Sequence, residues 1–197
     1  MGDHTGEPTL VDAARDYLRE KYQKPGNVFV GVVHRLDRPV SGVVLFARTS
    51  KGASRLSEQF RVHSIEKTYL ALVEGTVARP HGELHDRLVK DHERNVVSVA
   101  SGNQPGQECV LSFERLERLG RWTLLKIRPQ TGRSHQIRVQ LASRGWPIVG
   151  DRKYGSQYHV DGYIALHAES LQFQHPTTKQ PMYVASPYPA EWSQLYE

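Results

Sequence analysis

Two short apolar runs separated by a polar insert mark the first quarter of the chain. Val28–Val33 and Val43–Ala47 are rich in Val and Phe and predict two buried strands. Ahead of them, Leu10, Val11, Ala14 and Leu18 recur near helical spacing. They predict a helix over Leu10–Tyr22, capped by Thr9 and ended by Lys24-Pro25-Gly26. Behind them, Ala53, Leu56 and Phe60 form the inward face of a helix over Lys51–Arg61. Alternation then takes over. Ile65, Lys67, Tyr69, Ala71 and Val73 share one face of a strand over Ile65–Val73. Pro80–Lys90 and Asn95–Ala100 predict two looser strands, and Glu108–Arg118 with Arg121–Arg128 predict a hairpin across Leu119-Gly120. A helix over Ser134–Arg144, closed by Gly145 and Pro147, precedes strands at Tyr163–His167, Leu171–Gln174 and Met182–Ala185. Ala190–Leu195 closes the sequence as a short helix. Strands outnumber helices and mostly meet through hairpin-length connections. The pattern predicts an α+β fold, a single domain on a largely antiparallel sheet with flanking helices.

Composition narrows the classes. Residues 1–8 are polar and expected to be flexible, which leaves 9–197 as a domain long enough to bury a core. Lys and Arg total 26 against 21 acidic residues, a net charge of +5. That modest excess admits nucleic acid as a partner without requiring it. No apolar run approaches the roughly 18 residues of a membrane span, and the start lacks a basic-then-apolar signal, so a cytoplasmic protein is expected. The single cysteine, Cys109, excludes an intrachain disulfide and a cysteine zinc cluster; its alternating surroundings make it a small buried hydrophobe. His81 and His85 stand four apart, yet no acidic or cysteine pattern completes a site, so no metal is expected.

The polar insert, His34–Gly42, holds one carboxylate between two guanidiniums: Arg35, Asp37, Arg38. Such neighbours favour the ionised form of Asp37 and should lower its pKa, which suits a nucleophile or a local anion rather than a general acid. Spacing alone favours the plainer reading, an Asp in a Pro-containing turn whose ion pairs are worth about 0–1 kcal/mol. Gly150-Asp151-Arg152-Lys153-Tyr154-Gly155 reads as a turn with two cations facing outward, and His167 as a structural strand residue.

Four segments shift that balance. HRLDRPVSGVVLFART, from His34, resembles the active-site segment of the RluA family of pseudouridine synthases. Glu66–Gly75, EKTYLALVEG, is similar to that family's KTY strand; Thr131–Val139, TGRSHQIRV, resembles its GRxHQxR segment; Ile148-Val149-Gly150-Asp151 follows in order. The matches extend over roughly residues 8–190. The resemblance implies the pseudouridine synthase fold with a central basic cleft, ribosomal or transfer RNA as partner, and isomerisation of uridine without metal or cofactor. It implies that Asp37 is the catalytic carboxylate, acting as nucleophile or as base at the ribose. Tyr69 would stack on the flipped base and assist removal of the C5 proton. Arg138 would pair with Asp37; set among Ile137, Val139 and Leu141, it needs a carboxylate partner, because an unpaired buried guanidinium is costly. Arg35 would fill the gap left by the extruded base, and Ile137 would pack on the uracil. Arg133, with His135 and Gln136 at a helix start, would hold RNA, and a monomer is expected. The family's upstream strand ending in Lys-Pro and an S4-like RNA-binding module have no counterpart in this sequence. That leaves a second reading, an RNA-binding module of the same fold with impaired catalysis. A hydrolase with Asp37 as nucleophile would pair it with a second carboxylate of raised pKa; Glu66 and Asp151 lie near by in sequence, and no pattern assigns either to that role.

Overall fold

The computed structural model describes residues 8–23 and 25–195, so nearly all of the expected flexible start, and Lys24 of the expected helix stop, lie outside it. In chain order the elements are α1 (Leu10–Lys21), β1 (Gly31–Val32), β2 (Ser41–Gly42), β3 (Phe46–Ala47), α2 (Ser50–Arg61), β4 (Glu66–Glu74), β5 (His81–Asp91), β6 (Val96–Val99), β7 (Gln107–Leu119), β8 (Trp122–Pro129), α3 (Gln136–Ala142), β9 (Leu166–Gln174) and β10 (Pro181–Ala185). Single 3-10 turns cover Arg152–Tyr154 and Ala190–Leu195. The described residues form two compact units: 8–23, 25–35, 44–64 and 174–181 make one, and 36–43, 65–173 and 182–195 the other.

In the smaller unit, Thr9 and Asp12 close a capping box on α1, each side chain bonding the other's backbone N–H. The two apolar runs shrink here to a two-residue ribbon, Gly31 opposite Ala47 and Val32 opposite Phe46. Val28 and Ala47 are buried, but Phe29 and Val32 are about half exposed, so one face of the ribbon is covered and not both. Thr49 caps α2, and Leu56 is its buried apolar contact.

In the larger unit, the order is β10-β9-β4-β8-β7-β5-β6, with antiparallel neighbours from β9 through to β6. β2 joins β9 in parallel, which makes the sheet mixed. The expected α+β class on a largely antiparallel sheet is what the chain adopts. Leu72, Val73, Leu111, Leu125 and Ile127 on its strands and Leu141 on α3 are fully buried; each such Leu or Ile contributes on the order of 1.5–3 kcal/mol. Two sequence expectations change. Tyr163–His167 and Leu171–Gln174 are not two strands: β9 runs unbroken through Ala168, Glu169 and Ser170, because β4 pairs with one edge and β2 with the other. The helix expected over Ser134–Arg144 covers only Gln136–Ala142, since His135 takes left-handed backbone angles (φ 52°, ψ 17°) that no α-helix accommodates.

Candidate active site

Asp37 begins a tight turn, its carbonyl accepting the Val40 N–H at 2.9 Å. The turn runs directly into β2, so the side chain is delivered at the edge of the large sheet with 22% exposure. Tyr69 reaches the same region from β4. It stands opposite Ala168 of β9 and Ile127 of β8, where the register to β9 slips between Thr68 and Tyr69. Such a bulge re-aims side chains. Burial pushes the Tyr69 phenol up to about 12, and the negative charge of Asp37 adds to the shift.

Arg138 comes from α3, whose Gln136–Leu141 are all buried. Its side chain is only 7% exposed. Nη1 donates to Asp37 Oδ2 at 3.0 Å, while Nε and Nη2 donate to Asp151 Oδ2 and Oδ1 at 2.7 and 2.8 Å. The guanidinium is thus gripped in bidentate fashion from behind by Asp151 and presents one remaining nitrogen to Asp37. Asp151 is 1% exposed, whereas the two cations of the Gly150–Gly155 turn, Arg152 and Lys153, are exposed. A buried Arg with a single partner would leave most of its five donors unmet; the two carboxylates together take three of them.

Tyr154 and His135 complete the surround. The Arg138 guanidinium lies over the Tyr154 ring, 4.9 Å from its centroid. Tyr154 Oη accepts the Val97 N–H at 3.1 Å and sits 2.6 Å from His135 Nδ1. Burial raises the Tyr154 pKa, so the phenol keeps its proton and donates it to Nδ1. The imidazole proton is then on Nε2, 3.8 Å from Asp37 Oδ2. Burial lowers the His135 pKa, against the pull of Asp37 and with help from the charges of Arg138, Lys153 and Lys90; a neutral ring results. Guanidinium and imidazole both approach Oδ2.

The remaining predicted residues fall in different places. Gln136, expected against RNA, turns inward: Oε1 accepts from Thr131 Oγ1 at 2.8 Å and from the Arg133 N–H at 3.1 Å, and Nε2 donates to Val110 O at 3.1 Å. The Arg133 N–H at this helix start is therefore taken by Gln136, and α3 is only seven residues long. The Arg133 side chain stays exposed, its Nε donating to Glu108 O. Ile137 belongs to the main core cluster, 7% exposed. Arg35 is exposed and lies in the smaller unit. His81 and His85 are exposed on β5, and among the described residues no group of three His, Cys, Asp or Glu could hold a metal ion. Also among the described residues, no helix is long and apolar enough to cross a membrane. Asp151 and Tyr154 are the residues that sequence reasoning missed. The signal was present in Gly150-Asp151, a carboxylate following the apolar pair Ile148-Val149, and in the unmet donors of Arg138.

Comparison with known proteins places the chain in a family. A family model described as RNA pseudouridylate synthase matches residues 2–143. The ribosomal large subunit pseudouridine synthase C of Vibrio vulnificus is 34% identical over 172 residues, covering 83% of this chain and 53% of that protein. The tRNA pseudouridine synthase C of Haemophilus ducreyi is 34% identical over 189 residues, covering 86% of this chain and 77% of that protein. The chain thus spans about half the length of the first of these relatives. Among solved structures, human RNA pseudouridylate synthase domain containing 4 superposes with a TM-score of 0.74 at 20% identity, over 93% of this chain and 79% of that one. Human RNA pseudouridylate synthase domain containing 1 gives 0.71 at 24% identity, over 87% and 72%. At such identities the two structures speak for the fold.

Proposed function

The chain belongs to the RNA pseudouridylate synthase family, in its RluA group, and on that premise we propose that it isomerises particular uridines of ribosomal or transfer RNA to pseudouridine. The observation that carries the proposal is a half-buried carboxylate, Asp37, held 3.0 Å from a buried guanidinium and in the electrostatic reach of Tyr69. The reaction breaks the C1′–N1 bond, turns the uracil and forms C1′–C5. N1 takes up a proton and C5 releases one to water, so atoms balance with no outside oxidant, reductant or energy source. With Oδ2 hydrogen-bonded to Arg138, Oδ1 of Asp37 is the oxygen that acts at the ribose. Tyr69 supplies a ring for the extruded base. The enzyme works as a cytoplasmic monomer, without metal or cofactor. Incubation with cellular RNA labelled with tritium at uridine C5 tests the reading: tritium passes to water if isomerisation occurs, and its complete retention in RNA rejects the activity.

A phenol pushed up to about 12 is neutral throughout the working range. Tyr69 accordingly offers a stacking surface and a hydrogen-bond donor. Tritium release should stay level between about pH 8 and 10, where an ordinary tyrosine begins to ionise. A limb of the profile near pH 10 that disappears in Tyr69→Phe would assign the base role to the phenolate after all.

Arg133 is an exposed cation on the loop before α3. Arg133→Ala should weaken RNA binding and reduce the slope of log K against log salt by roughly 0.7–0.9, one phosphate contact. A wild-type slope in the variant would remove Arg133 from the phosphate contacts.

A further inference from the structure

The loop that carries Asp37 is joined to β9 by more than chain connectivity requires. Ser41 and Gly42 pair in parallel with His167 and Ala168. Gly42 adopts φ +119°, and a Cβ there would lie 2.3 Å from the Ala168 carbonyl oxygen, so the two backbones meet as only glycine permits. The Val43 N–H donates to Ala168 O at 2.9 Å, and the Ile164 N–H to Pro39 O at 3.0 Å. One side-chain pair lies within this seam. Ser41 Oγ is 2.8 Å from Nδ1 of His167, a residue 2% exposed, and His167 Nε2 is 3.1 Å from the Ser186 carbonyl. A carbonyl can only accept, so His167 carries its proton on Nε2, and Nδ1 receives the Ser41 hydroxyl.

The strand that seats this loop also seats Tyr69. Ala168 faces Gly42 on one edge and Tyr69 on the other. The spacing between the Asp37 loop and the Tyr69 ring is therefore measured across β9. We propose that Ser41 and His167 are positioning residues for the reaction: their hydrogen bond sets the height of the Asp37 loop on β9, and with it the register of the carboxylate against Tyr69. Neither residue touches substrate, and the proposal rests on the isomerase reading above. A buried pair serving only cohesion would raise stability without discriminating between ground state and transition state. A pair that sets catalytic spacing should show itself in turnover, because displacement of a reacting group by about 1 Å can cost about a hundredfold in rate.

The test uses the full chain with Ser41→Ala, Ser41→Thr, His167→Asn and His167→Leu, reading tritium release, thermal midpoint and amide hydrogen exchange together. Ser41→Ala should lower kcat by about ten- to a hundredfold while KM changes less than about twofold. Ser41→Thr restores the hydroxyl and should restore most of the rate. His167→Asn, whose side-chain oxygen can stand in for Nδ1 as acceptor, should retain more turnover than His167→Leu. In Ser41→Ala, exchange of the Val40 and Val43 amides should quicken by about tenfold while the Leu125 amide of β8 keeps its protection. Wild-type kcat in Ser41→Ala, or a loss that appears in KM alone, or an equal loss in Ser41→Thr, overturns the proposal. If the wild-type chain releases no tritium, the isomerase reading fails by itself. Exchange then still decides the pair: unchanged protection at Val40 and Val43 rejects it, and selective acceleration supports it.

Discussion

Replacing Asp37 by Asn should reduce tritium release by about 10⁴-fold or more while RNA affinity changes only a few-fold. The substitution is nearly isosteric. The Asn carbonyl can still accept the Arg138 Nη1 hydrogen bond that Asp37 accepts at 3.0 Å, so the guanidinium keeps a partner and the loop keeps its seat. What disappears is the charge. An amide oxygen neither attacks an anomeric carbon nor takes a proton from ribose at neutral pH, and both routes open to Asp37 therefore close together. Binding, by contrast, is proposed to rest on exposed cations such as Arg133, which the substitution does not touch. Tritium release and a filter-binding titration on the same preparation separate the two effects. Turnover comparable to wild type would remove Asp37 from the chemistry, and a parallel collapse of binding would recast it as a binding group.

The fold was legible wherever burial follows local pattern. The hairpin of β7 and β8, the Thr9 helix start and the α2 helix sit close to where alternation, capping chemistry and apolar spacing put them, because each is fixed by contacts within a few residues or one register. The errors fall where a distant partner decides. Ala168, Glu169 and Ser170 read as a break between strands, and only the pairing of β9 on both edges carries the strand through them. The start of α3 was misjudged because His135 leaves the helical region, while Gln136 satisfies the preceding loop from within. Asp37 with Arg138 could be anticipated, since a guanidinium among apolar neighbours needs a carboxylate. The second carboxylate could not be placed, because sequence spacing does not say on which side of Arg138 the chain returns at Asp151.

Asp151→Asn is expected to produce the second-largest effect, and to divide it between stability and rate. At 1% exposure the carboxylate has no solvent to fall back on, and its two oxygens take Nε and Nη2 of Arg138 at 2.7 and 2.8 Å. Breaking one arm of a buried ion network typically costs about 3 kcal/mol. That loss should appear as a lower midpoint in a urea titration with unchanged slope. The rate effect has a different origin. Asp151 occupies two faces of the guanidinium fork and leaves one nitrogen for Asp37. With an amide in its place, Arg138 loses the stronger claim on its orientation and can turn both free donors onto Asp37, engaging Oδ1 as well as Oδ2. The oxygen proposed to act at the ribose would then be held in an ion pair, and kcat measured on the folded fraction should fall by about a hundredfold with little change in KM. Should the variant lose stability yet keep wild-type kcat once folded, Asp151 would serve the fold alone, and the orientation of Arg138 would have to be credited to Tyr154 beneath it.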